Sequence, residues 1–264
     1  MTNFAVIFPG QGSQNTEMLD SYANVESFNS VINQASDILS YNIREITQDE
    51  SKLNDTTFTQ PVIVAVSVAM WNTWVDEKVS RPIFSAGHSL GEYSALTIAG
   101  AFDFKTGLRL VRDRAQFMAK AGQIEKGTMA AIVGIDDEMI ESICSDYTGK
   151  GIVKAANFNS PGQIVISGTP DGIKWVINKA KESGARMAIE LNVSGAFHSP
   201  LMASAREHLA EVLNSLEISD TIYPVFTNVD SKPVIKSNEI KDSLIRQLEN
   251  PVPVSYTHLT LPTN

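Results

Sequence analysis

Cysteine is nearly absent. Cys144 is the only one in 264 residues, which excludes a disulfide framework and permits a reducing compartment. Long apolar runs are lacking as well. The longest, Pro61 to Trp71, is interrupted by Ser67 and falls well short of the roughly 20 residues of a membrane span. Near the start, Phe4 to Phe8 is too short for a secretory signal and no basic region precedes it. Positive charge is in deficit: Lys and Arg number 21 against 30 Asp and Glu, a formal net charge of −9. That balance argues against a nucleic-acid partner. No spacing of His, Cys and carboxylates suits a metal, and Asp136-Asp137-Glu138 reads as the acidic first turn of a helix. The loop Pro9-Gly10-Gln11-Gly12-Ser13-Gln14 fails the dinucleotide fingerprint at Asn15, and no G-x-x-x-x-G-K-[ST] occurs. The expectation is a cytoplasmic protein with no metal, no nucleic acid and no membrane partner.

What is present is globular. Hydrophobic residues make up 43% and charged residues 19%, enough to bury a sizeable core in one large domain or one domain with an insert. Phe4 to Phe8 reads as a buried strand ended by Pro9-Gly10. Residues 57–75 suit a buried helix, a strand follows near Ile83, and Glu92 to Ala99 is helical. From Asp103, the residues Leu108, Val111, Ala115 and Met118 recur at spacings of three and four on one helical face. Such alternation indicates an α/β sheet, mostly parallel.

The texture changes near Glu125-Lys126-Gly127. Met129 to Val133 reads as a strand and Asp136 to Ser145 as a helix. Ile152 to Ala156 and Gln163 to Ser167 read as strands joined by a turn at Asn159-Ser160-Pro161-Gly162. Gly172 to Glu182 is helical and Met187 to Leu191 a last strand. The order β-α-β-β-α-β is the ferredoxin-like signature. The predicted organisation is an α/β core over 1–125 and 195–252, interrupted by a ferredoxin-like subdomain over 126–194. Past it, Ala205, Leu209, Val212 and Leu216 mark an amphipathic helix, and Tyr223 to Asn228 resembles a strand of the main sheet.

Gly87-His88-Ser89-Leu90-Gly91 is a G-x-S-x-G set between strand and helix. On such a turn the Ser89 hydroxyl stands above the sheet, and the Leu90 N–H faces any oxyanion that develops. A helix-capping serine is the plainer alternative. A nucleophilic hydroxyl needs a base, and four histidines are available. His88 adjoins the serine and points elsewhere on an elbow. His208 falls on a solvated helix face, and His258 lies in an odd tail. His198 sits in Ser194-Gly195-Ala196-Phe197-His198-Ser199-Pro200, a loop after a strand and downstream of the serine, so it is the expected base. The loop after the first strand can offer a second oxyanion donor from the Gln11 N–H. One of Arg109, Arg112 and Arg114 could bind a carboxylate through two parallel N–H donors, and the pattern does not choose among them.

Five motifs in consistent order, from about Phe4 to Val252, resemble the malonyl-CoA:acyl carrier protein transacylase family. They are Phe8-Pro9-Gly10-Gln11-Gly12-Ser13-Gln14, Gly87-His88-Ser89-Leu90-Gly91-Glu92-Tyr93-Ser94-Ala95, Asn157-Phe158-Asn159-Ser160-Pro161-Gly162-Gln163, Gly195-Ala196-Phe197-His198-Ser199 and Gln247-Leu248-Glu249-Asn250-Pro251-Val252. The resemblance implies a hydrolase-like core carrying a ferredoxin-like insert. It implies a malonyl-serine at Ser89 formed with His198 as base, transfer to the thiol of acyl carrier protein, and an oxyanion hole from Gln11 and Leu90. It assigns the malonyl carboxylate to Arg114 and the orientation of His198 to the Gln247 carbonyl, with Gln60, Asn228 and Asp230 as supporting groups. It further implies no bound cofactor, a coenzyme A thioester as substrate and a monomeric enzyme. Carrier protein is acidic, so docking requires a local basic patch, for which Lys181 and Arg186, with Lys120 and Lys126, are the candidates.

The family continues past Asn250-Pro251-Val252 through a further strand and helices. Here a segment over 253–264 follows that resembles nothing in the family, and its loss of an edge of the sheet would expose apolar surface. Two other readings remain open. A serine esterase or thioesterase would share Ser89 and His198 but needs no pocket arginine. A truncated carrier-binding module would be catalytically silent.

Overall fold

Stopped by Pro9-Gly10, the first apolar run forms strand β1 (Ala5–Phe8) in a computed structural model that describes residues 3–76 and 81–255. Helices α1 (Glu26–Leu39), α2 (Ile43–Gln48), α3 (Glu50–Leu53) and α4 (Thr56–Asp76) follow. Next come β2 (Phe84–Gly87), α5 (Gly91–Ile98), α6 (Phe104–Ile124), β3 (Thr128–Val133) and α7 (Asp137–Ser145). Strands β4 (Val153–Ser160) and β5 (Gln163–Gly168) lead to α8 (Pro170–Glu182) and β6 (Met187–Glu190). The last elements are α9 (Ala203–Ser215), β7 (Val225–Phe226), β8 (Pro233–Val234) and α10 (Ser237–Gln247). The protein is α/β, with two compact units. One comprises Met1–Gln116, Val212–Thr227 and Lys232–Asp242; the other comprises Phe117–Glu211, Asn228–Ser231 and Ser243–Asn264.

In the first unit the sheet order is β1-β2-β7-β8, with β1, β2 and β7 parallel and β8 antiparallel. Val62 to Ala69 on α4 are all buried, as a helix apolar on every side must be. Helix α1 packs on it through Phe28, Val31, Ile32 and Ala35. On α6 the predicted face is the buried one: Leu108, Val111 and Ala115 are inaccessible. Among the described residues no helix is long and apolar enough to cross a membrane.

In the second unit β3–β6 form an antiparallel sheet in the order β4-β5-β3-β6. Helices α7 and α8 pack on it through Ile140, Ile143, Ile173, Val176 and Ala180. Strand β4 runs on to Ser160, past the expected Ile152–Ala156, with irregular register on either side of Asn157 and Phe158. The reason is visible: the Phe158 N–H donates to the Val252 carbonyl and the Val252 N–H to the Ala156 carbonyl, so Val252 pairs with this stretch.

The compact units do not divide the chain at 125/126 and 194/195. Their first boundary falls at Gln116/Phe117, and residues 195–211 group with the second unit. There Gly195 lies against Gly122, and a Cβ on Gly127 would meet the Ala196 methyl at 2.4 Å. Of the segment over 253–264, His258 and everything from residue 256 onward lie outside the described residues.

Candidate active site

The Ser89 elbow is built on the first unit. Strand β2 ends at Gly87 and α5 starts at Gly91, so the chain reverses within three residues. Both glycines are required by close approach. A Cβ on Gly87 would come within 1.9 Å of the Gly91 carbonyl carbon, and one on Gly91 within 2.4 Å of the Phe8 carbonyl oxygen. Between them Ser89 takes a left-handed conformation, φ 51°, which for a non-glycine residue costs about 1–3 kcal/mol. The His88 N–H donates to the Phe8 carbonyl at 3.0 Å and the Glu92 N–H to the Ser89 carbonyl at 3.1 Å, which hold the turn. The His88 backbone and ring lie against Gly10.

Arg114 is 1% exposed. Its Nη2 donates to the Ser89 hydroxyl oxygen at 3.1 Å, and its Nη1 makes a short hydrogen bond to the Gln60 side-chain carbonyl. The guanidinium also lies over the Tyr93 ring, 5.2 Å from its centre, a cation–π arrangement. Burial lowers the Arg114 pKa from its ordinary value, opposed by Tyr93 and Glu92. Burial likewise pushes the Tyr93 phenol up to about 12, so it stays neutral beneath the cation. The other two arginines stand elsewhere: Arg112 pairs with Asp113 at 2.8 Å and Arg109 is exposed. A guanidinium kept from water has a strong demand for an anion.

The Gln11 loop closes through the Ser13 hydroxyl, which donates to the Gly10 carbonyl at 2.8 Å. The Gln11 side-chain oxygen accepts from the Thr56 hydroxyl at 2.9 Å. Leu90, whose N–H is the other expected donor, is buried at the cap of α5.

His198 and its partners belong to the second unit. His198 is buried, with φ 58°. Its Nδ1 lies 2.9 Å from the Gln247 carbonyl oxygen. A carbonyl can only accept, so Nδ1 carries a proton, and in the neutral ring Nε2 keeps its lone pair. Gln247 is buried in turn, and its Nε2 donates to the Asn228 side-chain oxygen at 3.3 Å. Ser199 fixes the loop from the other side, donating to the Ala196 carbonyl at 2.6 Å and accepting from the Leu201 N–H. Asp230 belongs to a different pair: both its oxygens meet Arg246, at 2.6 and 3.1 Å. His208 is exposed, near Glu211. Lys181, Arg186, Lys120 and Lys126 are all exposed. Cys144 is buried, and burial pushes its thiol up to about 12, which leaves it unreactive.

Sequence reasoning passed over Thr56 and Tyr93. Thr56 stands one helical turn before Gln60 on α4, and that i, i+4 pairing of polar residues just ahead of the apolar run was the available signal.

A serine on a strand-to-helix elbow and a carbonyl-anchored histidine are the equipment of acyl-transfer chemistry. The chain belongs to the acyl transferase domain family, whose model matches residues 5–257. It is 41% identical over 255 residues to the malonyl CoA-acyl carrier protein transacylase of Salmonella typhimurium, covering 96% of this chain and 82% of that protein. The transacylase of the same name from Bacillus subtilis is also 41% identical, over 96% of this chain and 80% of its own length. Among solved structures, an acyl-carrier-protein S-malonyltransferase from Burkholderia pseudomallei superposes with a TM-score of 0.92 at 42% identity, covering 95% of this chain and 82% of that one. A malonyl-transacylase solved in complex with its type II PKS acyl-carrier protein superposes with a TM-score of 0.94 at 40% identity, covering 97% and 84%.

Proposed function

We propose that this acyltransferase moves a malonyl group from malonyl-CoA to the phosphopantetheine thiol of acyl carrier protein, in fatty acid or polyketide biosynthesis. One observation carries the reading: a buried guanidinium donates to the hydroxyl of the elbow serine, Arg114 Nη2 to Ser89 Oγ at 3.1 Å. An acyl group with a carboxylate at its far end answers that cation and is held by it next to the hydroxyl. An acetyl group leaves the cation unanswered and is rejected.

The scheme pairs Ser89 with His198, as the resemblance to the transacylases implies. Ser89 Oγ attacks the thioester carbonyl while His198 Nε2 takes the hydroxyl proton. The N–H groups of Gln11 and Leu90 bind the oxyanion. The tetrahedral intermediate collapses, the C–S bond breaks, and the coenzyme A thiolate leaves with the proton from His198. The carrier thiol then passes its proton to His198 and attacks the malonyl-serine ester; the C–O bond breaks and Ser89 recovers the proton. The proton on Nδ1 stays with the Gln247 carbonyl throughout. No bound cofactor takes part.

The relatives' names support the substrate and the carrier, as does the solved complex of a carrier protein with its malonyl-transacylase. The architecture is a hydrolase-like core with a ferredoxin-like subdomain over 126–194. Parallel pairing of β1, β2 and β7 supports the first part, and the antiparallel order β4-β5-β3-β6 the second. A cytoplasmic, monomeric enzyme is part of the same reading, and one chain carries each residue that the scheme names.

Intact-protein mass spectrometry after brief mixing with malonyl-CoA tests this. One malonyl mass is expected on the wild-type chain and none on Ser89→Ala. Folded protein that takes no malonyl mass refutes transfer, and an adduct lost to water without carrier establishes an esterase instead.

A further inference from the structure

Thr56 is the first residue of α4. Here it is 1% exposed, like Gln60 one turn further on. Its hydroxyl has two partners: it accepts from Gln60 Nε2 at 2.9 Å and donates to the Gln11 side-chain oxygen at 2.9 Å. Donor and acceptor inventory fixes the sense of the chain. A guanidinium only donates, so Gln60 turns its oxygen to Arg114 and its amide hydrogens to Thr56. The one hydroxyl hydrogen of Thr56 then goes to Gln11. The bonds run in one direction from Arg114 through Gln60 and Thr56 to Gln11, the arrangement in which each bond polarises the next.

The two ends of this chain have separate tasks in the transfer reading, on which this inference rests. Arg114 takes the acyl carboxylate and Gln11 lends its backbone N–H to the oxyanion. We infer that Thr56 is a positioning residue: its hydroxyl ties the Gln11 loop to the Gln60–Arg114 pair, holding the carboxylate anchor and the oxyanion donor in register. The loop can then present its N–H at the distance from the anchor that a malonyl thioester requires. Thr56 touches no substrate; it acts through the Gln11 side chain, while Gln60 keeps its own bond to Arg114.

That division sets the expected kinetics. Thr56→Val keeps the shape and removes the hydroxyl. In pre-steady-state loading of Ser89 by malonyl-CoA, the maximal rate should fall about tenfold, the scale of one lost hydrogen bond, with half-saturation changed less than about twofold. Thr56→Ser, which retains the hydroxyl, should restore the rate. Gln11→Ala, which keeps the backbone N–H, should lose about as much as Thr56→Val, and the double variant no more than either. Unfolding midpoints of all variants separate these effects from global loss of structure. Unchanged loading by Thr56→Val overturns the inference, as do failure of Thr56→Ser to rescue, a loss confined to half-saturation, or additive losses in the double variant. If Thr56→Val does not fold, Thr56→Ser and Gln11→Ala decide: serine must load normally and alanine slowly, or the inference falls. A wild-type chain that takes no malonyl mass overturns the transfer reading and this inference with it; a loaded wild type beside an equally loaded valine variant overturns this inference alone.

Discussion

Ser89 and His198 are two of four described non-glycine residues with positive φ, at 51° and 58°. Each lies between tethers that hold it there: Gly87 and Gly91 on one side, Ser199 and the Gln247 carbonyl on the other. Strain of this kind persists only where the surroundings over-determine it. The serine turn was legible because its glycines are written in the sequence. The arginine proposed to select the acyl group was not. At 100° per residue, Arg112 and Arg114 flank the buried stripe of α6 by about 80° on opposite sides, so periodicity treats them alike. What separates them is Gln60 and Ser89 beside Arg114, against Asp113 beside Arg112. Arg114→Ala should therefore cost malonyl loading about 100-fold while changing acetyl loading less than about tenfold, because only the first acyl group answers the cation. Loading of the two thioesters, compared by mass spectrometry at matched concentrations, checks this; equal losses refute the role given to Arg114.

At the scale of elements, the readable signals were period and punctuation. Strands β1 and β2, the elbow, α4–α6 and the alternation from β3 to β6 all announce themselves by apolar spacing and by Gly or Pro at their ends. Helix α1 carried the same signal, Phe28, Val31, Ile32, Ala35 and Leu39 at spacings of three and four, but was not read. Strand β8, two residues long, has no room for a pattern. The pairing of Val252 with β4 was illegible because it depends on a contact between positions far apart in the chain. The elbow gives the sharpest element-level expectation. On Gly91 a methyl would meet two backbone oxygens, Phe8 at 2.4 Å and Pro9 at 2.7 Å, neither on a flexible side chain. Gly91→Ala should lower stability by about 3 kcal/mol, the upper end for overpacking, and should abolish loading because the strand and the turn must separate. Urea unfolding followed by circular dichroism measures the first and mass spectrometry the second; a variant as stable as the wild type would show that the turn tolerates a side chain.

For the molecule as a whole the governing quantity is charge. The chain carries a formal net charge of −9, and the carrier that the resemblance implies is acidic too, so the long-range field opposes their encounter. Productive docking then needs a local reversal of sign, and charges at the rim of an interface act mainly on association rate and its salt dependence. Lys181, at the end of α8, and Arg186, just before β6, are exposed cations close in sequence. Neither belongs to the serine or histidine networks, so reversing them leaves acylation of Ser89 by malonyl-CoA untouched. The double variant Lys181→Glu, Arg186→Glu should lower kcat/KM for the carrier about tenfold at low salt, with the deficit shrinking as ionic strength screens the field. Transfer from preloaded Ser89 to carrier, followed by stopped-flow quench at two salt concentrations, measures this. Unchanged transfer at low salt would move the docking surface away from these residues, to the other exposed pair, Lys120 and Lys126. A deficit that persists undiminished at high salt would mean that the two side chains act by packing rather than by charge.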